Sequence, residues 1–179
     1  MDAGLTVNES KEILVQLYAH AGFPRSLNAI QAFMAVMEER QAGAVREKDA
    51  GPLPSDMDRD EYGAQVRARL AGLEDMPAPT GFQLFAPVID RFLKEHLFAD
   101  ILARDNPDYQ SRELATIAAL ASMTGTTAQL RFHLGAAMNT GLTESQVKDF
   151  VSVLESRVGS EQTENASAAL AEVLRARMQ

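Results

Sequence analysis

Two stretches of this chain, Gly4 to Gly22 and Gly141 to Gly159, carry one pattern at a constant offset of 137 residues. Glycine, leucine, threonine, lysine, a later leucine and the closing glycine coincide, six of nineteen columns without a gap. Residue frequencies of roughly 5–7% would align about one such column by chance. The offset extends from Met1 and Met138 at one end to Asn28-Ala29 and Asn165-Ala166 at the other. Both copies read as the same element. Thr6 to Glu9 and Thr143 to Gln146 have the spacing of a capping box, in which threonine and Glu or Gln satisfy each other's backbone amides. Ile13, Leu14, Leu17, Tyr18 and Ala21 then follow at helical spacing in the first copy, and Val147, Phe150, Val151, Leu154 and Val158 in the second. Gly22 and Gly159 supply the stops. A capped amphipathic helix used twice means one supersecondary unit used twice. The copies are unequal, because a long run precedes the second and none precedes the first.

The remaining pattern is helical too, rich in Leu, Ala, Met, Glu, Gln and Arg and without alternating β-branched runs. The fold class is all-α. Pro24 suits the first turn of a helix reaching about Gln41, with Leu27, Ile30, Phe33, Met34 and Met37 on its apolar face. Its counterpart spans roughly Glu161 to Arg177. Residues 42–81 form a connector whose loops are marked by Pro52, Pro54, Pro77 and Pro79. Between the loops, Tyr62, Val66, Leu70 and Leu73 outline one amphipathic helix expected to lie across the surface of a bundle. Three further helices are expected. The first, Phe85 to Ala103, carries Val88, Ile89, Phe92, Leu93, Leu97 and Ile101. The second, Arg112 to Met123, is rich in small residues. The third is capped by Thr126 or Thr127 and runs to Asn139. Three segments result: a partial first repeat (1–41), the connector (42–81) and a complete second repeat (82–179).

Charge and composition exclude several functions. Seventeen Lys and Arg against twenty-five Asp and Glu give a net charge of −8, which repels phosphate backbones and anionic membranes. Without cysteine there is no disulfide, thiolate metal site or thiol redox chemistry. The three histidines, His20, His96 and His133, leave little scope for a metal centre, and no metal or cofactor is expected. No apolar run approaches the roughly 20 residues of a membrane span, and no signal peptide opens the chain. The expectation is a cytoplasmic protein with a small-molecule partner, no nucleic acid and no membrane.

The run Arg112-Glu113-Leu114-Ala115-Thr116-Ile117-Ala118-Ala119-Leu120 resembles the carboxymuconolactone decarboxylase family. The likeness continues through Gln129-Leu130-Arg131-Phe132-His133-Leu134 and Asn139-Thr140-Gly141-Leu142-Thr143. Tyr18-Ala19-His20-Ala21-Gly22-Phe23-Pro24 is similar to the family's closing helix and its Gly-Phe-Pro turn. The resemblance implies an alkylhydroperoxidase-like helical bundle and a homo-oligomer (dimer, trimer or hexamer). It also implies a tandem member whose first copy starts at its closing helices. Peroxidase-type relatives place a Cys-x-x-Cys pair before the histidine; Thr126 and Gln129 stand there in this chain, so thiol peroxidase activity is not expected.

What the resemblance carries over is a proton relay. Glu113 would orient and charge the imidazole of His133, and His133 would protonate the carbon vacated by carbon dioxide in a small carboxylated lactone or similar acid. No cofactor is needed if the lactone's conjugated system accepts the released electrons. The alternative is a buried polar pair that fixes helix packing, on a scaffold that binds a small molecule without turning it over. Arg131 could hold a substrate carboxylate only across a subunit boundary, since it lies roughly 200° around the helix from His133; a surface ion pair is the alternative. Tyr18 and His20 precede a turn that lines pockets in relatives, with packing as the plainer reading. His96 and Asp100, four residues apart, could share a metal or simply a hydrogen bond. The apolar face of the first copy (Ile13, Leu14, Leu17, Leu27, Ile30) is expected to be covered by the second copy or by another subunit.

Overall fold

The computed structural model describes residues 4–40 and 48–178. Every regular element among them is helical and none is a strand. The expected junction between first repeat and connector, at residues 41 and 42, lies outside the described residues. The chain divides into two compact units within helix α3 (Arg59–Ala71), after Gly63. One contains the described residues up to Gly63 together with Thr80–Asp108; the other contains Ala64–Pro79 and everything from Tyr109 onward.

In the first unit, α1 (Val7–Ala21) packs against α2 (Phe23–Glu39). Thr6 sits in extended conformation, its hydroxyl accepts from the Glu9 amide at 3.1 Å, and the Glu9 carboxylate accepts from the Thr6 amide at 2.7 Å. Gly22 ends the helix at φ 83°, a left-handed angle that glycine tolerates and a side chain resists. Pro24 follows in the first turn of α2. Ser26 is 3% exposed and donates to the Leu14 carbonyl at 2.6 Å, which ties the two helices together. Ile13, Leu14, Leu17 and Ile30 are half-buried, whereas Leu27 is 54% exposed.

The single helix expected over Phe85–Ala103 is three pieces: α4 (Phe82–Phe85), α5 (Pro87–Phe92) and a π-helix (Leu93–Leu102). Pro87 is the reason for the first break. A proline pushes its predecessor out of the helical region, and Ala86 sits at φ −134°, ψ 71°. Val88, Ile89 and Phe92 are 47–58% exposed, while Phe98, Ala99, Ile101 and Leu102 are buried. Gly63 allows the closest approach in this unit, since a Cβ there would lie 1.9 Å from the Lys94 carbonyl oxygen. Lys94 strengthens the same crossing by donating to Asp60 at 2.6 Å, and that bond raises its pKa above the ordinary lysine value. At the far end of the π-helix, Arg104 makes a two-pronged bond to Glu12 of α1, both arms 2.7 Å, which raises the guanidinium pKa further.

The second unit holds α6 (Tyr109–Ala121), α7 (Thr127–Asn139), α8 (Glu144–Arg157) and α9 (Ser160–Arg177). Helix α9 packs against the other three, and the core is Ile117, Leu120, Leu130, Leu134, Val147, Phe150, Leu154 and Leu170 with three alanines. The small side chains let α6 and α7 approach closely. In α3, Val66, Ala68 and Leu70 are at most 4% exposed, so this helix is an integral element rather than a surface strap. The Asn139 amide donates to the Leu70 carbonyl at 2.9 Å.

The second capping box forms as the first does. The Thr143 hydroxyl accepts from the Gln146 amide at 3.2 Å, and the Gln146 side chain accepts from the Thr143 amide at 2.9 Å. Helix α8 stops at Arg157, one residue short of the position matching the end of α1. Thr143→Ala is expected to lower stability by about 1 kcal/mol, with Thr143→Ser recovering most of the loss, both read from urea midpoints. Thr126 is the N-cap of α7 by position only. Its hydroxyl turns back and donates to the carbonyls of Leu120 and Met123 at 2.7 and 3.2 Å, so it closes α6 instead.

Candidate functional site

Glu113 and His133 meet inside the second unit. Glu113 is in the second turn of α6 and His133 in the middle of α7, and the close packing of these helices brings Glu113 Oε2 to 2.8 Å from His133 Nδ1. An ionised carboxylate can only accept, so the imidazole carries a proton on Nδ1 and directs it at Glu113. The side chains are 1% and 6% exposed. The edge of Phe132 lies against the imidazole with ring centroids 5.0 Å apart. Among the described residues, Glu113 Oε1 is the buried side-chain oxygen with no hydrogen-bond partner. Buried carboxylate oxygens rarely go unmatched, and those that do tend to sit where chemistry or ligand binding needs them.

Beside this pair, Arg112 is completely buried, the largest such side chain among the described residues. Sequence reasoning passed over it, treating it only as the first letter of a motif. Arg112, Thr116 and Leu120 share one buried face of α6, and Thr116 donates to the Arg112 carbonyl at 2.9 Å. A cation on a core-facing position is costly unless it is matched.

The other expected site residues have contacts of their own. Arg131 is exposed and forms an ion pair with Glu172 of α9, the surface arrangement that its place on the helix allowed. Tyr18 and His20 lie on α1 in the first unit, both half-buried. Tyr18 stacks on Phe23 at 4.5 Å between centroids and tilts against His96 at 5.7 Å. His96 donates through Nδ1 to Asp100 at 3.0 Å, and no group of three or more metal-ligating side chains forms among the described residues. A groove of about 230 Å³ opens between the α6–α7 loop and the start of α9. Met123, Thr124, Thr127, Glu161, Gln162 and Asn165 line it, and neither Glu113 nor His133 does.

The model of the carboxymuconolactone decarboxylase family matches residues 87–172, which contain both members of the buried pair. Within residues 87–172 the chain carries a carboxymuconolactone decarboxylase family domain. No curated protein matches it. The all-helical architecture of the described residues agrees with that domain. Among the described residues, no helix is long and apolar enough to cross a membrane.

Proposed function

We propose that this protein is a carboxymuconolactone decarboxylase-like enzyme in which Glu113 and His133 relay a proton to a small carboxylated lactone or related acid. The observation that carries the reading is the buried 2.8 Å contact between a carboxylate and an imidazole, with the second carboxylate oxygen unmatched. Loss of carbon dioxide leaves an electron pair that the substrate's conjugated system accepts without a cofactor. His133, starting as the imidazolium that the Glu113 charge stabilises, then gives its Nε2 proton to that carbon and is left neutral, with its Nδ1 proton still directed at Glu113. Burial of the pair supports the chemistry, because a dry surrounding strengthens these interactions. Repetition of the capped helix supports a tandem ancestry. The exposed apolar side chains of α2, Leu27 and Met34, support assembly into a homo-oligomer. A cytoplasmic location is part of the same proposal.

A second reading has an observation of its own. The pair is almost sealed, and the groove on the second unit is lined by other residues. That arrangement suits a non-catalytic protein that binds a small molecule on the inherited scaffold. Decarboxylation of carboxymuconolactone by the wild type and by His133→Asn separates the readings. Catalysis predicts a fall of about 10²–10⁴-fold in the variant. Equal rates at the uncatalysed level, together with a ligand-induced rise in Tm, would instead support the binding protein.

A further inference from the structure

The first unit contains a second imidazole–carboxylate pair that the relay does not use. His96 and Asp100 lie four residues apart on the π-helix, and Nδ1 of His96 is 3.0 Å from Asp100 Oδ2. Asp100 is fixed in turn by Arg59 of α3, whose Nη1 is 3.1 Å from one carboxylate oxygen and 3.3 Å from the other. The chain Arg59–Asp100–His96 therefore sets both the tilt of the imidazole and its tautomer. The proton sits on Nδ1 and Nε2 is left as an acceptor. Unlike His133, this imidazole is open, with its side chain 53% exposed.

An aromatic shelf stands next to it. Tyr18 tilts against the imidazole at 50° and 5.7 Å, and Phe23 stacks on Tyr18 at 4.5 Å while remaining 63% exposed. These separations fall in the range where ring pairs attract. The backbone beneath His96 is also unusual, since π-helical turns are rare and recur at functional sites. All five side chains belong to the same compact unit.

Charge narrows what could bind. Arg59 cancels Asp100, and Lys94 on the same helix faces two carboxylates, Asp60 at 2.6 Å and Asp90 at 3.6 Å. These five side chains carry one negative charge in excess, on a chain that carries −8 overall. A carboxylate ligand is disfavoured there, whereas a neutral molecule bearing a hydroxyl donor is not. We propose that His96, Tyr18 and Phe23 form a binding site for a neutral planar hydroxyl compound of the phenol or enol class, separate from the Glu113–His133 pair. The ligand's O–H donates to His96 Nε2 and its ring lies against the Tyr18–Phe23 shelf. Asp100 and Arg59 are positioning residues.

Histidine-selective ¹⁵N NMR on the full chain tests this, because only three imidazoles contribute signals. In the free protein, His96 should show the tautomer protonated on Nδ1. Titrated phenol should move the His96 Nε2 resonance and leave that of His133 in place. Anisole, which keeps the ring and lacks the donor, should bind roughly three- to tenfold more weakly, as one neutral hydrogen bond predicts. Benzoate should be weaker than phenol. Tyr18→Leu should weaken phenol binding several-fold, and His96→Asn should erase the preference for phenol over anisole. Equal responses to phenol and anisole in the wild type would overturn the proposal, as would a phenol shift confined to His133 or His20, or no shift at all. None of these readouts requires decarboxylase activity, so failure here leaves the relay untouched.

Discussion

Gly63→Ala is expected to destabilise the protein by about 3 kcal/mol or more and to lower Tm by about 6–12 °C. A methyl group at this position would sit 1.9 Å from the Lys94 carbonyl oxygen and 2.5 Å from its carbon. Both are backbone atoms of the π-helix, so no side chain can rotate away to make room. Either α3 or the π-helix has to shift. A shift also strains two bonds that cross the same junction, Lys94 to Asp60 and Arg59 to Asp100. Gly135→Ala provides the control. It makes the same chemical change in the middle of α7, where an added Cβ meets nothing within 4 Å. There alanine should stabilise by about 0.5–1 kcal/mol, because it restricts the unfolded chain and suits a helix. Thermal and urea melts of both variants decide the matter, and two substitutions with the same sign would refute the close crossing.

Removal of His133 and removal of Glu113 should have unequal costs. His133→Leu strands a buried carboxylate with neither oxygen partnered, and a loss of about 3–5 kcal/mol is expected. Glu113→Leu leaves a neutral imidazole behind, which is cheaper, at about 1–3 kcal/mol. The double variant should be more stable than His133→Leu alone, because replacing both members removes the stranded charge. Unfolding free energies of the four proteins close a cycle that isolates the coupling. Strictly additive losses would mean that the 2.8 Å contact does not couple the two residues. Glu113→Gln adds a functional comparison. It keeps the shape of the pair and removes its charge, so turnover should fall far more than stability does.

Much of this molecule is legible from its letters, for identifiable reasons. The capping boxes at Thr6 and Thr143 could be read because a cap is a local bond between residues three apart. The Glu113–His133 meeting was legible through the family resemblance, since nothing in their separation of twenty residues requires contact. Helix α5 shows what a proline changes: an apolar period ran through Phe85–Ala103, yet Pro87 divided it and left Val88 and Phe92 exposed. The π-helix has no comparable signature, because its wider turn accepts the same apolar residues that an α-helix would. Sequence offers Thr126 or Thr127 as the cap of the following helix, whereas the Thr126 hydroxyl closes the preceding one. Either use suits a threonine between two helices. Arg112 could not be recognised as buried from a period alone, since a long cation at the start of a helix ordinarily reaches solvent.

The boundary within α3 separates heredity from cooperativity. The family match begins at residue 87, inside one compact unit, and ends at residue 172, inside the other. The stretch that descent has kept recognisable is therefore not a stretch that folds as a module. An excised fragment starting at residue 82 would leave behind Val66 and Leu70 and lose the carbonyl that Asn139 grips. It would also carry α4, α5 and the π-helix without α1, and so without Glu12 to hold Arg104. Such a fragment is therefore expected to melt at a lower temperature than the full chain.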